Sequence, residues 1–412
     1  MNKVLASAVV FTSLVFLACN TTSTTNNATN PTSSANDSVP PVETRPPNST
    51  YKPAFPGQTR IAGVKTTTPY EGKIITSDLK NPWGIAVLPD GRFLITQKGG
   101  TMRIVSANGQ LSDEITGLPP VASQGQGGLL GITLDPQFET NRMVYWTFSE
   151  PQPQNHTAVG KGKLSADEKR IENATVIYRA APFHNSVLHY GGRILFDKTG
   201  NLIVSTGERS DLETRPRAQD LKSGLGKLLR ITTDGQAAPG NPFAGRTDVL
   251  PEIYTYGHRN VQGIAFHPQT GDLWEGEFGP LGGDELNLIK PGHNYGWPTI
   301  TYGLEYSGKT IGQGITQKEG MEQPVYYWDP VLSPSGMTFY TGDNMPEWKN
   351  NLFIGGLSSQ HIARLVIKDN KVVGEERILA NEGQRFRDVA QGRDGLLYAV
   401  TDQGRFYQIG KK

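Results

Sequence analysis

The stretch that decides the fold is GGRILFDKTGNLIVSTGE, residues 191–208. A short apolar run, RILF, is followed by a turn that ends in Thr199-Gly200, and a second apolar run, LIVS, follows the turn. Two short apolar runs on either side of a Gly-containing turn are typical of a β-hairpin. The stretch therefore predicts two adjacent antiparallel strands.

The same pattern recurs five more times along the chain. The recurrences are GIAVLPDGRFLIT (84–96), GITLDPQFETNRMVYWTF (131–148), GIAFHPQTGDLWEGEFG (263–279), GMTFYTGDNMPEWKNNLFIGG (336–356) and DVAQGRDGLLYAVTD (388–402). Their starting points lie roughly 50–70 residues apart, slightly more than the ~40–50 residues of familiar propeller repeats. We therefore predict an all-β fold, a six-bladed β-propeller of four-stranded antiparallel blades over residues 58–412. A pair of β-sandwiches is the alternative.

Composition excludes several classes of protein and site. The chain has 412 residues, a formal net charge of +1 and no basic run, so a nucleic-acid partner is not expected. The single cysteine, Cys19, excludes intrachain disulfides and zinc sites built on thiolates. Any metal must therefore be held by oxygen or imidazole ligands.

The first 57 residues have the composition of an export signal followed by a tether. In residues 1–19, Lys3 precedes an apolar run that is too short to span a bilayer and that ends at Ala18-Cys19. This ending resembles a bacterial lipoprotein signal with Cys19 acylated, and an ordinary cleaved signal peptide is the alternative. We expect a periplasmic or outer-membrane-anchored lipoprotein. Residues 20–57 are rich in Ser, Thr, Asn and Pro, which predicts a disordered tether.

Polar side chains directly precede or begin the first strand of four of the repeats. They are Gln126 in the second repeat, His189 in the third, Arg259 and Asn260 in the fourth, and Arg385 and Arg387 in the sixth. A lone histidine before a strand is more often structural. In a propeller, however, equivalent loops converge on one axial face, so this shared placement favours a common site.

Arg385 and Arg387 are two residues apart, so on an extended chain their side chains lie on one side. Two guanidinium groups on one side repel each other unless an anion lies between them. A ligand with several carboxylates would supply that anion through bidentate hydrogen bonds. A solvated strand edge is the alternative explanation.

A long Gly-rich segment with acidic residues, EGEFGPLGGDELNLIKPGHNYGWP, covers residues 275–298. Asp284 and Glu285 offer carboxylate oxygens, and the glycines allow backbone carbonyls to turn inward. Carboxylate and carbonyl oxygens are the ligands that Ca²⁺ takes in proteins. The spacing differs from that of an EF-hand, so this segment alone gives a weak prediction of a calcium site.

Eight motifs, in order, resemble those of the soluble aldose sugar dehydrogenases that depend on pyrroloquinoline quinone (PQQ), relatives of soluble quinoprotein glucose dehydrogenase. The motifs are NPWGIAVLPDG, GQGGLLG, LHYGGRILFD, GHRNVQGIAF, EFGPLGGDELN, NYGWP, SPSGMTFYTGD and GQRFRDV. The resemblance implies a six-bladed propeller that binds PQQ, a tricarboxylate ortho-quinone, and Ca²⁺. It implies oxidation of the C1 hydroxyl of aldose sugars to lactones, with a separate cytochrome or quinone as the electron acceptor.

The resemblance also implies a role for individual residues. His189 corresponds to the general base, and Arg259 to a catalytic residue that polarises the quinone oxygens. The expected contacts of PQQ are Gln126, His189, Arg259, Asn260, Arg385 and Arg387. The carbonyls of Gly279 and Pro280 correspond to ligands of the PQQ-bound Ca²⁺. Glu285 and the carbonyl of Tyr295 resemble a second calcium site, and Trp328 lies near where the family closes the pocket with aromatic rings.

Two residues depart from the family pattern. Leu188 stands where the glucose dehydrogenase branch has an aspartate before the base, and Ser358 stands where many members have a lysine. Without an adjacent carboxylate, His189 must be oriented by a group from elsewhere in the fold. Two other functions stay open from the residues alone: a non-catalytic surface propeller that binds a ligand, and a metal-dependent lactonase.

Overall fold

The computed structural model describes residues 39–412. The predicted signal peptide, Cys19 and the first part of the predicted tether lie outside the described residues. Among residues 39–412, no helix combines the length and the apolar character that a membrane-crossing helix needs.

The described residues form six antiparallel sheets. The first strand is β1 (Tyr70–Thr76). Blade 1 contains β2 (Pro82–Val87), β3 (Phe93–Gln97) and β4 (Thr101–Val105). Blade 2 contains β5 (Leu129–Leu134), β6 (Met143–Glu150), β7 (His156–Leu164) and β8 (Ile171–Arg179). Blade 3 contains β9 (Ile194–Phe196), β10 (Leu202–Ser205), β11 (Lys227–Ile231) and β12 (Ile253–Tyr256).

The second half of the chain completes the set. Blade 4 contains β13 (Val261–Phe266), β14 (Leu273–Glu277), β15 (Asp284–Leu288) and β16 (Tyr326–Trp328). Blade 5 contains β17 (Pro334–Phe339), β18 (Leu352–Gly356), β19 (Ile362–Lys368) and β20 (Lys371–Ile378). Blade 6 contains β21 (Phe386–Gln391), β22 (Leu397–Thr401) and β23 (Phe406–Lys411). The described helical segments are α1 (Phe138–Asn141) and the 3₁₀ turns Arg215–Ala218, Pro346–Trp348 and Ala380–Glu382.

The six sheets close into a ring. The innermost strands β2, β5, β9, β13, β17 and β21 contact one another in that order, and β21 returns to β2. Strand β1 pairs with β23 at the outer edge of blade 6, so the two ends of the folded chain are joined in one sheet. The prediction of a six-bladed β-propeller is therefore confirmed.

The hydrophobic core is divided into layers between neighbouring blades. Trp146 and Leu94 pack between blades 1 and 2, and Trp274 and Phe339 pack between blades 4 and 5. Comparable buried clusters fill the other four junctions. Because each blade is covered by a neighbour on both faces, this ring of cores rules out the alternative of paired sandwiches.

Blade 1 departs from the predicted four strands. Its sheet has three strands, and only two isolated bridges, at Leu111 and Ile115, extend it beyond β4. The segment SANGQLSDEIT, residues 106–116, supplies the physical reason. It contains few apolar residues and carries Asn-Gly and Ser-Asp pairs, which favour turns over a continuous strand.

The predicted tether ends earlier than residue 57. Residues 43–49, which we call the N-terminal strap, lie against the propeller. The Asp329 carboxylate accepts hydrogen bonds from the backbone N–H groups of Asn48, at 2.7 Å, and of Ser49, at 3.2 Å. Glu43 forms an ion pair with Arg377 at 2.8 Å. A polar segment can therefore be ordered here without an apolar core of its own, which composition alone could not reveal.

Candidate functional site

A cavity of about 660 Å³ opens where the loops before the inner strands converge. All six blades contribute side chains to it, including Trp83, Lys98, Gln126, His189, Arg259, Ser358, Arg385 and Arg387. Gly279 and Pro280 also border it. The polar residues of four separate repeats are therefore brought together at one end of the propeller axis.

His189 is held by contacts on its backbone and on one ring nitrogen. Its side chain is buried, with Nδ1 2.5 Å from Glu208 Oε1. Its backbone N–H donates to Gln126 Oε1 at 2.9 Å, and its φ of 46° lies in the left-handed region that few residues with a side chain adopt. Glu208 is the orienting partner that the sequence did not name. Glu208 is the last residue of the hairpin stretch 191–208. Because Nδ1 is bound to Glu208, Nε2 is the ring nitrogen of His189 that is available to a ligand in the cavity.

The pKa of His189 is lowered to about 4. Burial is the largest cause, because it disfavours the charged imidazolium, and the positive charge of Arg259 adds to it. The hydrogen bond to Glu208 and its negative charge act in the opposite direction. At neutral pH the ring is therefore uncharged, with Nδ1–H donating to Glu208 and a lone pair on Nε2. That is the state a general base requires.

Arg209 fixes the loop that carries His189. Its buried guanidinium donates to the carbonyl oxygen of Leu188 at 2.8 Å and to Asn155 Oδ1 at 2.6 Å. The guanidinium carbon also lies 3.6 Å from the ring centroid of Tyr190. These contacts hold the residues on both sides of His189, so Arg209 positions the base without contacting the cavity.

The backbone of Arg259 is fixed by the carboxylate of Glu277. Glu277 Oε2 accepts the backbone N–H of Arg259 at 2.6 Å. The guanidinium group donates to the carbonyl of Gly279 at 2.7 Å, and its carbon lies 5.1 Å from the ring centroid of Trp297. Arg259 therefore places a positive charge at the cavity wall, in the same region as His189 and the Gly279 carbonyl.

Arg385 and Arg387 already have an anion between them. Asp402 accepts hydrogen bonds from Arg385 Nε at 2.9 Å and from Arg387 Nε at 2.8 Å. The prediction that a bound ligand must supply this anion was therefore incomplete, since a protein carboxylate relieves part of the repulsion. Lys98 adds a further cation to the cavity, and burial, followed by repulsion from Arg387, lowers its pKa.

Two residues that were predicted to bind PQQ do not border the cavity. Asn260 is fully buried, and its Oδ1 accepts the backbone N–H of Gly191 at 2.9 Å, so it braces the loop that carries the base. Trp328 lies in the core between blades 4 and 5, and its indole N–H donates to Glu375 at 2.9 Å. The aromatic residues that border the cavity are instead Trp83, Phe278 and Tyr306, of which Trp83 was present in the motif NPWGIAVLPDG.

The departures at Leu188 and Ser358 have different surroundings. Leu188 is exposed beside His189 and offers no carboxylate. The carboxylate that orients the imidazole is that of Glu208. Ser358 borders the cavity, where its hydroxyl accepts a hydrogen bond from Ser333 at 2.8 Å. Lys98 therefore brings a cation to the cavity from blade 1, whereas the position of Ser358 in blade 5 stays neutral.

A cluster of buried carboxylates lies behind Arg259. Glu275, Glu277 and Glu285 approach one another, and burial, reinforced by the charge of Glu277, raises the pKa values of Glu275 and Glu285 well above their usual range. Within residues 39–412, Glu275 Oε2 and Asn287 Oδ1 are buried without a hydrogen-bond partner. His258 Nδ1 lies 3.1 Å from Glu277. A cation bound here would coordinate these two unpaired oxygens and would relieve the repulsion between the carboxylates.

A second, small cavity is bordered by Glu285 and Tyr295, together with Glu277, Gly279 and Pro280. The family resemblance assigned Glu285 and Tyr295 to a second calcium site. Carboxylate and carbonyl oxygens of this kind match the ligand preference of Ca²⁺. The residues therefore fit a cation at the second of the two places implied by the family resemblance. At the first, Gly279 and Pro280 border both cavities, and the carbonyl of Gly279 accepts a hydrogen bond from Arg259.

Removal of Ca²⁺ is expected to lower the melting temperature of the protein. A ligand that binds only the folded state stabilises it by about 2.7 kcal/mol at a hundredfold excess over its Kd, so adding Ca²⁺ to chelator-treated protein should raise Tm by several degrees. Glu285→Gln should reduce this shift, whereas the exposed control Glu319→Gln should keep it. Differential scanning calorimetry measures both, and equal shifts in wild type and Glu285→Gln would count against calcium binding here.

Comparisons with known proteins identify the family of the chain. The family described as Glucose / Sorbosone dehydrogenase matches residues 79–408. The aldose sugar dehydrogenase YliI of Escherichia coli K12 is 41% identical over 335 residues, which cover 80% of this chain and 90% of that protein.

Solved structures give the same result. The apo form of the soluble aldose sugar dehydrogenase from Escherichia coli superposes with a TM-score of 0.78 at 39% identity, covering 83% of this chain and 99% of that one. The PQQ-bound aldose sugar dehydrogenase of Streptomyces coelicolor superposes with a TM-score of 0.70 at 31% identity, covering 84% and 100%. The chain therefore belongs to the glucose/sorbosone dehydrogenase family.

Proposed function

We propose that the protein is a PQQ-dependent aldose sugar dehydrogenase that oxidises the C1 hydroxyl of its substrate to a lactone. The observation that carries the proposal is the His189–Glu208 pair, a neutral and oriented imidazole that borders a cationic cavity. The relatives named aldose sugar dehydrogenase, one of them solved with PQQ bound, support the reaction class.

The cavity suits a tricarboxylate. The cavity is bordered by four cationic side chains, those of Lys98, Arg259, Arg385 and Arg387. Asp402 compensates only part of their positive charge, so the cavity favours a polyanion. Its volume of about 660 Å³ lies within the usual range for small-molecule sites, roughly 300–1,000 Å³. When bound, PQQ would supply an ortho-quinone that accepts a hydride. Ca²⁺, which the carbonyls of Gly279 and Pro280 would help to hold, would supply a Lewis acid.

The residues of the chain handle the proton and the developing charge. His189 Nε2 takes the proton of the C1 hydroxyl, and the Glu208 carboxylate stabilises the resulting imidazolium through Nδ1. Arg259, fixed by Glu277 and hydrogen-bonded to Gly279, offers a positive charge that needs no reorganisation during the reaction. The proton then leaves Nε2 for solvent through the open mouth of the cavity.

The proposal is tested by adding PQQ and Ca²⁺ to the purified protein and following quinone absorption, then dye reduction with a panel of aldoses. Saturable PQQ binding and aldose-dependent dye reduction are expected. PQQ binding without dye reduction in the presence of any aldose would favour the alternative of a non-catalytic binding module. Hydrolysis of lactones with Ca²⁺ alone, and no response to PQQ, would favour a metal-dependent lactonase.

Loss of one guanidinium at the cavity is expected to weaken cofactor binding. Hydrogen bonds to charged groups contribute about 1.5–3 kcal/mol, so Arg387→Gln should raise the Kd of PQQ by roughly 10- to 150-fold. Arg246→Gln, at an exposed arginine outside the cavity, is the control and should leave the Kd unchanged. Absorbance titration measures the Kd, and an unchanged value in Arg387→Gln would place the carboxylates of PQQ elsewhere.

We further propose that the protein is exported and anchored through acylated Cys19, and that a separate cytochrome or quinone accepts the electrons. The sequence of residues 1–19 supports the anchor. Membrane fractionation tests it: wild type should sediment with membranes and Cys19→Ser should not. Equal distribution of the two would reject the anchor.

A further inference from the structure

The N-terminal strap reaches the cavity. Asn48 borders it together with Gly282 and Pro330. The family match begins at residue 79, so the strap lies outside the part of the chain that defines the family. The strap therefore adds to the cavity a side chain that the family motifs do not include.

The strap is fixed in place by one buried carboxylate and by an arginine. Asp329 accepts hydrogen bonds from the backbone of Asn48 at 2.7 Å and from the hydroxyl of Ser49 at 3.1 Å. Arg60 donates to the carbonyl of Arg45 at 2.8 Å and to that of Asp329 at 2.7 Å, so it joins the strap to blade 4. These contacts bracket Asn48 on both sides and fix its backbone.

The close approach of Asn48 to the cavity wall depends on Gly282. Gly282 has a φ of 82°, and a Cβ at this position would lie 2.8 Å from Asp329 Oδ1 and 3.5 Å from Asn48 Nδ2. A side chain here would therefore collide with the carboxylate that holds the strap. Gly282 leaves the space in which Asn48 meets the cavity wall.

The side chain of Asn48 presents an acceptor to the cavity. Its Nδ2 donates to the carbonyl of Pro330 at 3.1 Å, which sets the orientation of the amide. Within residues 39–412, Oδ1 of Asn48 accepts no hydrogen bond. Since Asn48 is exposed at the rim, this oxygen is free to accept a hydrogen bond from a ligand.

The rim also carries an aromatic ring. Tyr306 borders the same cavity and is 75% exposed, whereas the base His189 is only 5% exposed. The cavity therefore has a deep part with the base and the cations, and an outer part with Asn48 and Tyr306. The ring offers an apolar face, and the amide offers an acceptor.

We propose that the strap forms part of the sugar-binding site and that Asn48 Oδ1 accepts a hydrogen bond from an aldose hydroxyl remote from C1. An acceptor oxygen suits a sugar hydroxyl, which donates, and it would repel the carboxylates and quinone oxygens of PQQ. The position at the rim agrees, because C1 must reach His189 in the deep part. This inference rests on the proposed function and deepens it, since it assigns a residue that selects the substrate.

The test uses the full-length, PQQ-loaded enzyme with D-glucose. Loss of one hydrogen bond is expected to raise KM about 3- to 10-fold in Asn48→Ala, with a smaller effect on kcat. The matched control is Asn108→Ala, at an exposed asparagine outside the cavity, which should leave both constants unchanged. The Kd of PQQ, measured in the same variants by absorbance, should stay at the wild-type value.

A panel of monodeoxy glucoses distinguishes a direct contact from a change in the shape of the rim. The KM penalty of Asn48→Ala should disappear for the one deoxy sugar that lacks the bonded hydroxyl, and persist for the others. An equal penalty for every deoxy sugar, or no penalty in an active enzyme, would overturn the inference. A wild type that oxidises no aldose would overturn the proposed function and this inference with it.

Discussion

His189→Ala is expected to lower kcat about 10²- to 10⁴-fold, the usual contribution of a general base. The imidazole that borders the cavity is lost, and within the described residues no other histidine borders it. PQQ binding should change little, because Lys98, Arg385 and Arg387 stay in place. Dye reduction with the PQQ-loaded enzyme measures kcat, and absorbance titration measures the Kd of PQQ.

His293→Ala is the matched control, since His293 is exposed and its Nδ1 lies 2.6 Å from Glu322 Oε1, outside the cavity. It should keep wild-type turnover and Kd. His189→Gln separates chemistry from packing, because the amide fills more of the space that alanine leaves empty. Turnover near the wild-type rate in either His189 variant would mean that another group takes the proton.

Glu208→Gln is expected to lower kcat about a hundredfold or more. The equivalent carboxylate of Ser-His-Asp triads contributes up to ~10⁴ in kcat by orienting the imidazole and stabilising the imidazolium. Glu208 also raises the pKa of His189, which burial and Arg259 hold at about 4. Removing its charge should therefore lower this pKa further and make His189 a weaker base.

The direction of the pH effect gives an independent check. The base acts when unprotonated, so activity falls as pH drops through its pKa, and the acid limb of the kcat/KM profile should lie at lower pH in Glu208→Gln than in wild type. Glu213→Gln, at an exposed glutamate on the same loop, should leave the profile unchanged. An acid limb that stays in place, or moves to higher pH, would argue against coupling of Glu208 to the base.

The fold could be predicted from the sequence because each blade repeats a local signal. The hairpin at 191–208 corresponds to β9 and β10, with the turn at Thr199-Gly200 between them. The outer strands were less visible, and in blade 1 the expected fourth strand is reduced to two bridges. Outer strands pack on fewer neighbours, so their apolar pattern is weaker than that of the inner pair.

The site could be predicted only where residues occupied the same place in the repeat. His189, Gln126, Arg259 and the arginine pair satisfied that condition, and they meet at the cavity. Glu208 and Asp402 come after a strand, and their positions in the chain do not predict that their loops lie close to His189 and Arg387. Their contacts depend on how the blade brings two loops together, which no local pattern encodes.

Two errors have simpler physical causes. Trp328 was placed at the cavity by alignment, whereas its side chain faces the core because it occupies the inward side of β16. The N-terminal strap was assigned to a disordered tether because it lacks apolar residues. It is ordered by polar contacts, chiefly with the Asp329 carboxylate, far away in the sequence, together with contacts to Arg60 and Arg377.

The most direct test of the account is a single turnover without any external electron acceptor. Wild-type protein and His189→Ala are loaded with PQQ and Ca²⁺ under anaerobic conditions, mixed with D-glucose, and followed by quinone absorption. The oxidised quinone signal should be lost rapidly in wild type, more slowly with deuterium at C1, and about 10²- to 10⁴-fold more slowly in PQQ-bound His189→Ala. Loss of the signal at equal rates in both proteins, or none in wild type, would contradict the account.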